Sequence, residues 1–220
     1  MNKTIKHTII GLCSVAFIDV LITTNIFGLL VLEENITTIW ISEFKIWLYL
    51  ALVFLIATKV EQSKLLLWKE SRKKWYFYVI SAVAIFLGAV IVAVVTPILF
   101  DFLNIPKNQE VLESVGSYYC KNKILLVFGC LTAGIVEEFI YRGYLMPRIE
   151  ILIKNKWMVI TLTALLFGFA HIGNQSIIGL VVPTLIGFIF SYHYYTYRSI
   201  SAVMIAHFII DFASFLNSCQ

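Results

Sequence analysis

The chain has 220 residues, of which 60% are hydrophobic and 14% are charged, and its formal net charge is +4. A soluble domain is rarely more than about half apolar, so the composition excludes an ordinary soluble protein. The basic residues lie in the connections between apolar runs rather than on one face, which argues against binding of nucleic acid. The sequence therefore predicts an all-α fold, a polytopic transmembrane helical bundle.

Apolar runs along the chain approach the length that a helix needs to cross a bilayer, roughly 20 residues. We predict about seven spans, at 8–32, 44–60, 76–100, 124–146, 157–171, 176–197 and 199–216. Lys3 and Lys6 precede the first run as in a signal peptide, but the run is too long for one and no A-x-A site follows it. We therefore interpret it as a retained span in a single integral membrane domain.

Lysine and arginine residues predict the orientation, because cytoplasmic loops are enriched in them. With seven crossings, one side of the bundle carries most of the basic residues of the connections: Lys59, Lys64, Lys69, Arg72, Lys73, Lys74, Arg148, Lys154, Lys156 and Arg198. This places the N-terminus in the cytoplasm and the C-terminus outside.

The cysteines at positions 13, 120, 130 and 219 are scattered and form no CxxC pair. They give no reason to propose a disulfide. Cys13 and Cys130 fall inside apolar runs, and we expect both to be small packing residues.

Ionisable residues at bilayer depth cost on the order of 2.5–3.5 kcal/mol each, so they usually face the bundle interior and serve a function. The spans contain Asp19, Glu137, Glu138, Arg142, His171, His207 and Asp211. All but Asp19 lie in the last four spans. We therefore interpret the first three spans as a packing half and the last four as a working half.

In the fourth span, Glu138 and Arg142 are four residues apart, the spacing of an ion pair on one helix face. Glu137 points about 100° away around an α-helix, so one glutamate can be structural while the other serves as a general base. Tyr141 shares the face of Glu137 and is either a substrate contact or a packing aromatic.

Two further spans supply imidazoles. His171 ends the fifth span, and His207 lies in the seventh, one helical turn before Asp211, which can accept its second ring N–H. Glu137, His171 and His207 form a set that can bind Zn²⁺ or another divalent metal, or hold a water without a metal. The sequence contains no HExxH, GxSG or GxGD motif, which disfavours zincin, rhomboid-like and presenilin-like chemistry.

Three motifs in order resemble those of the CAAX protease and bacteriocin-processing (CPBP or Abi) family of intramembrane proteases, which is related to the type II CAAX prenyl proteases. "EEFIYR" at 137–142 resembles its EExxxR motif, "FGFAH" at 167–171 its FxxxH motif, and "HFIID" at 207–211 its HxxxN or HxxxD motif. The resemblance implies a helical bundle with a conical, polar catalytic cavity formed by the four C-terminal helices. It implies residues 124–216 as the catalytic core, residues 1–123 as supporting spans and connections, and a chain of the bacterial plasma membrane.

The resemblance also implies roles for individual residues. Glu137 activates a water, His171 lies near that water, and His207 and Asp211 act at the oxyanion or as metal ligands. Glu138 and Arg142 support the motif helix. An ionised aspartate cannot donate to an oxyanion as asparagine can, so Asp211 is expected to act as a ligand or to orient His207.

We expect an endopeptidase that hydrolyses membrane-associated peptides or membrane proteins in the lipid bilayer, with a possible connection to bacteriocin processing or self-immunity. A non-proteolytic bacteriocin-immunity or interaction protein is the main alternative. A proton-coupled transporter or channel is a third, because intramembrane carboxylates and histidines also relay protons.

Overall fold

The computed structural model describes residues 3–23, 35–107, 110–171 and 176–219. All regular elements in these ranges are helices: α1 (Lys3–Thr23), α2 (Ile36–Val60), α3 (Trp75–Phe102), α4 (Glu110–Lys121), α5 (Lys123–Leu152), α6 (Lys156–Phe169), α7 (Ile177–Tyr197) and α8 (Ile200–Ser218). The all-α prediction is confirmed. Helix α4 lies in the connection between the third and fourth predicted spans, for which no element was predicted.

Five of the described helices, α2, α3, α5, α7 and α8, are long and apolar enough to cross a membrane. Helix α6 is apolar but has 14 residues. Residues 24–32 of the first predicted span lie outside the described residues. Large apolar side chains on the outer surface, such as Phe102 at 81% and Trp75 at 75% exposure, fit contact with lipid. The count of seven crossings stays a prediction.

Asparagine and serine residues mark several helix starts, because a side-chain oxygen can accept hydrogen bonds from the free N–H groups of a first turn. Asn35, Asn122 and Asn155 do so at the starts of α2, α5 and α6. Helix α8 begins differently. Glu70, from the connection after α2, accepts hydrogen bonds from the backbone N–H of Ile200 at 2.8 Å and from the hydroxyl of Ser199 at 2.9 Å.

Helix α5 lies at the centre of the bundle and contacts α1, α2, α6 and α8. Two π-helical segments interrupt it, at Ala133–Glu137 and Phe139–Leu145. Such wide turns are rare and frequently occur at functional sites. A Cβ on Gly134 would stand 3.0 Å from the carbonyl oxygen of Met204 in α8, so the two helices approach backbone to backbone there.

A buried ion pair joins α5 to the residue that follows α2. Arg148 is fully buried and lies 2.6 Å from Glu61, which also accepts a hydrogen bond from the Tyr144 hydroxyl at 2.6 Å. Arg148 further donates to the backbone carbonyls of Lys64 and Leu65. The placement of Arg148 in a connection was therefore wrong, because the helix continues to Leu152 and the charge of Arg148 is neutralised inside the bundle.

The cysteine interpretation needs a correction. Cys120, at the end of α4, forms a disulfide with Cys219, just after α8, with a Cα–Cα distance of 5.3 Å across a sequence separation of 99 residues. The bundle brings together two cysteines whose spacing carried no pairing signal. Cys130 is buried, as expected, but Cys13 is exposed on α1 rather than packed.

Candidate active site

The predicted pair between Glu138 and Arg142 forms inside α5. Arg142 Nη1 donates to Glu138 Oε1 at 2.8 Å, and both side chains are fully buried. Arg142 Nη2 also donates to the backbone carbonyl of Gly187 in α7 at 3.0 Å. The guanidinium therefore fastens α7 to the motif helix.

Two phenylalanine rings flank the Arg142 guanidinium. Its central carbon lies 4.3 Å from the ring centroid of Phe167 and 5.1 Å from that of Phe190. A Cβ on Gly187 would stand 3.3 Å from Arg142 Nη2 and 2.9 Å from the Phe167 ring. The absence of a side chain at Gly187 thus lets the guanidinium reach the carbonyl, and cation–π contacts hold it from both sides.

His207 contacts Glu138, which was predicted to pair only with Arg142. Its Nδ1 lies 2.9 Å from Glu138 Oε1, the same oxygen that accepts from Arg142. Its Nε2 lies 3.4 Å from Asp211 Oδ2. The proximity of Asp211 follows from the i, i+4 spacing. The contact with Glu138 depends on how α8 packs against α5, which no local pattern encodes.

His171 lies two residues beyond α6. Its Nδ1 lies 2.8 Å from the carbonyl oxygen of Phe167. A carbonyl can only accept, so Nδ1 carries the hydrogen and Nε2 is left as an acceptor. The ring centroid of Phe167 lies 4.9 Å from that of His171 and 5.9 Å from that of His207, so one phenylalanine separates and orients both imidazoles.

Glu137 ends the first π-helical segment of α5. Its Oε2 is buried and makes no hydrogen bond with any described residue. The carboxylate interacts electrostatically with His207, Glu138 and Arg142. The neighbouring glutamates therefore have different surroundings, since Glu138 is held by two partners and one oxygen of Glu137 is held by none of the described residues.

A cavity of about 790 Å³ brings together three of the candidate residues, His171, His207 and Asp211, with Phe167. Glu137 is not among the residues that line it. The cavity draws on α3, α4, α6, α7 and α8, so it includes two elements, α3 and α4, from outside the four C-terminal spans that were expected to form it. Pro97 of α3 and Gly116 of α4 are among these lining residues.

Tyr141 is buried, and its ring makes an edge contact with Phe167 at a centroid distance of 5.2 Å. Its hydroxyl and that of Tyr49 hydrogen-bond with Asp19 of α1. The first span thus contributes a polar side chain next to the motif helix. The role of Tyr141 as a substrate contact stays a prediction, since it does not line the cavity.

Helix α4 is fastened beside the cavity through Tyr119, whose hydroxyl donates to the buried Glu43 of α2. The Tyr119 ring also stacks on Phe215, a cavity residue, at a centroid distance of 4.7 Å. Burial raises the pKa of Tyr119, and the adjacent Glu43 carboxylate raises it further. The phenol therefore stays protonated and keeps its role as donor.

The three candidate metal ligands do not form a metal-binding group in this arrangement. Among the described residues, no three histidine, cysteine, aspartate or glutamate side chains are gathered so that they could hold a metal ion. Both ring nitrogens of His207 already face carboxylates. Glu137, His171 and His207 as placed therefore do not fit a metal ion.

Comparison with known families identifies the part of the chain that contains these residues. Residues 120–213 match the family model described as type II CAAX prenyl endopeptidase Rce1-like. This segment of the chain is Rce1-like. The match is consistent with the CPBP family of membrane proteases and confirms that resemblance. The Rce1-like segment begins in α4, includes the three motifs and ends in α8. The matched segment is thus similar to a family of membrane proteases, and five of the described helices are long and apolar enough to cross a membrane. Curated proteins and solved structures gave no match.

Proposed function

We propose that this protein is an intramembrane endopeptidase that cleaves membrane-associated peptides or membrane proteins in a bacterial plasma membrane. The observation that carries the proposal is the contact of His207 with Glu138. It joins the first and third motifs of the Rce1-like segment, while Phe167 of the second motif packs against both Arg142 and His207. Packing alone gives little reason to gather these ionisable groups beside a cavity.

In the proposed reaction, Glu137 accepts a proton from a water molecule. The water oxygen forms a bond to the scissile carbonyl carbon, and the C=O electron pair moves onto the oxygen. When the tetrahedral intermediate collapses, the C–N bond breaks, and the proton held by Glu137 passes to the leaving nitrogen. The unpaired Oε2 of Glu137 supports the base role, because a carboxylate already held by other donors is less able to accept this proton.

The two histidines have different proposed roles. His171 presents Nε2 as an acceptor, since its Nδ1–H is held by the Phe167 carbonyl, and it positions the water. His207 faces carboxylates at both nitrogens, so its ring can carry a hydrogen on each. With Nδ1 held by Glu138, Nε2–H points towards Asp211 and the cavity, where it can donate to the oxyanion.

Replacing His207 by alanine should lower kcat for peptide cleavage by about 10²–10³-fold, the usual effect of removing one oxyanion donor. Asp211→Asn should cost about tenfold or less, because an amide oxygen can still accept from Nε2–H. Purified variants in detergent would be compared on a quenched fluorescent peptide chosen from a library. An H207A protein that keeps a third or more of the normal kcat would contradict the oxyanion role.

We further propose that turnover needs no bound metal, because the described residues gather no three ligands around one point and both ring nitrogens of His207 face carboxylates. Purified protein should contain well under one equivalent of zinc, manganese, iron or cobalt by mass spectrometry, and it should keep its activity after dialysis against a chelator. Stoichiometric metal whose removal abolishes cleavage, with recovery on re-addition, would show that the site rearranges to bind it.

A further inference from the structure

The cavity lies towards one end of the bundle. Its lining includes residues from the end of α3, the end of α4, the start of α7 and the end of α8, such as Pro97, Ser117, Ser176 and Ser218. In a bundle of alternating helices these ends meet on the same side. The basic connections at 59–74 and 153–156, together with Arg198, lie at the opposite end.

The distribution of charge assigns that opposite end to the cytoplasm. Without the buried Arg148, the connections at the opposite end still carry several exposed lysines. The cavity end carries few basic residues near the helix ends. One of these, Lys107, is paired with Asp101 at 2.6 Å. Because lysine and arginine mark cytoplasmic connections, the cavity end is the extracytoplasmic one.

The disulfide gives a second, independent indication. The Cys120–Cys219 disulfide lies beside the rim, since Gly116 and Ser117 precede Cys120 by about one helical turn and Asn217 and Ser218 precede Cys219 directly. Disulfides persist in oxidising compartments and are rare in the cytosol. A disulfide at this rim is therefore expected only if the rim faces the outside of the cell.

The cavity wall also limits the substrate. Its polar lining residues other than the histidines and Asp211 are small and uncharged: Ser117, Ser176, Ser214, Asn217 and Ser218. Asp211 is the one charged side chain among the described lining residues other than the histidines. A charged substrate side chain would lose its hydration without a partner there. The volume of about 790 Å³ lies in the usual range of ligand pockets, roughly 300–1,000 Å³, which suits a short extended segment rather than a folded domain.

We infer that the cavity is loaded from the extracytoplasmic side, past a rim flanked by the Cys120–Cys219 disulfide, and that it takes an extended peptide segment with small or uncharged side chains. The inference rests on the proposed peptidase activity. It adds the side of entry and the chemistry of the segment. A secreted peptide or the outer end of a membrane protein would meet both requirements.

The first experiment determines which side the rim faces. In a variant with Cys13→Ser and Cys130→Ala, intact cells are treated with a membrane-impermeant maleimide before and after a membrane-impermeant phosphine reductant. Labelling of Cys120 and Cys219 is expected only after reduction and without permeabilisation. A Lys154→Cys control that also lacks the four native cysteines should label only in permeabilised cells. Labelling of Cys120 and Cys219 without reductant, or only after permeabilisation, would overturn the inference.

The second experiment tests entry and separates this inference from the proposed function. A quenched peptide of uncharged residues, selected by its cleavage in detergent, is added to intact and to lysed cells. Similar cleavage in both, and none with Glu137→Gln, is expected. Cleavage in lysed cells alone would reject extracytoplasmic loading but leave the peptidase intact, whereas cleavage that persists with Glu137→Gln would reject the proposed function.

Placing one lysine or glutamate in the peptide should lower kcat/KM at least tenfold, and an unchanged value would reject the inferred preference for uncharged side chains.

Discussion

Substituting Glu137 by glutamine is expected to lower kcat for peptide cleavage by about 10²–10⁴-fold, the contribution of a positioned general base. Glutamine keeps the size of the side chain and an acceptor oxygen but cannot take a proton from water. The variant should still fold, because Glu137 Oε2 makes no hydrogen bond to a described residue that the substitution could break. Cleavage would be followed by mass spectrometry of the products, with purified protein in detergent.

A matched control is available on the same helix. Glu150, near the end of α5, accepts hydrogen bonds from Trp68 and Tyr195 and lies away from the cavity. Glu150→Gln removes the same charge but retains an acceptor, so its kcat should stay within about threefold of normal. If Glu137→Gln retains activity comparable with this control, the base has been assigned to the wrong residue.

The same pair of variants distinguishes the enzyme from a non-proteolytic immunity or interaction protein. Cells that express the normal protein would be compared with the Glu137→Gln and Glu150→Gln strains for survival against a peptide bacteriocin and for their secreted peptides. Loss of protection and of cleaved peptides only with Glu137→Gln is expected if hydrolysis is the activity. Protection that survives this substitution would favour the binding role.

The sequence predicted the helices well because their physical signals are local. Apolar length predicted α2, α5 and α6, although the second span was predicted to begin at 44 and α2 begins at Ile36. The spacing of Glu138 and Arg142 predicted their contact, which is an i, i+4 pair observed at 2.8 Å. These features depend on residues that are near each other along the chain.

Features that depend on packing between distant helices were missed. The contact of Glu138 with His207 spans 69 residues, and that of Arg148 with Glu61 spans 87. Arg148 was placed in a connection because it follows the apolar run. An arginine at such a position is solvated unless a distant carboxylate neutralises its charge. The π-helical turns around Glu137 have no composition signal. The one partial clue was Glu61 itself, an acidic residue at the end of an apolar run within a basic connection.

Breaking the ion pair inside α5 should cost far more stability than breaking one at the surface. Replacing Arg142 by leucine leaves the Glu138 carboxylate fully buried without its arginine partner, and removing one partner of a buried pair typically costs about 3–5 kcal/mol. The Lys107–Asp101 pair provides the comparison, because its side chains are 30% and 68% exposed. Lys107→Ala should cost at most about 1 kcal/mol, the usual value for an exposed pair.

The double variant Glu138→Gln with Arg142→Leu shows whether the unpaired charge causes the loss. It removes both charges, so its free energy of unfolding should exceed that of Arg142→Leu alone, as when neutral residues replace a buried pair. Its cleavage activity should nevertheless stay low, because the glutamine can no longer hold His207 Nδ1–H as a carboxylate does. Stability would be measured by denaturation in mild detergent and cleavage with the quenched peptide. A double variant less stable than Arg142→Leu would show that packing of the guanidinium between Phe167 and Phe190, rather than its charge, stabilises the site.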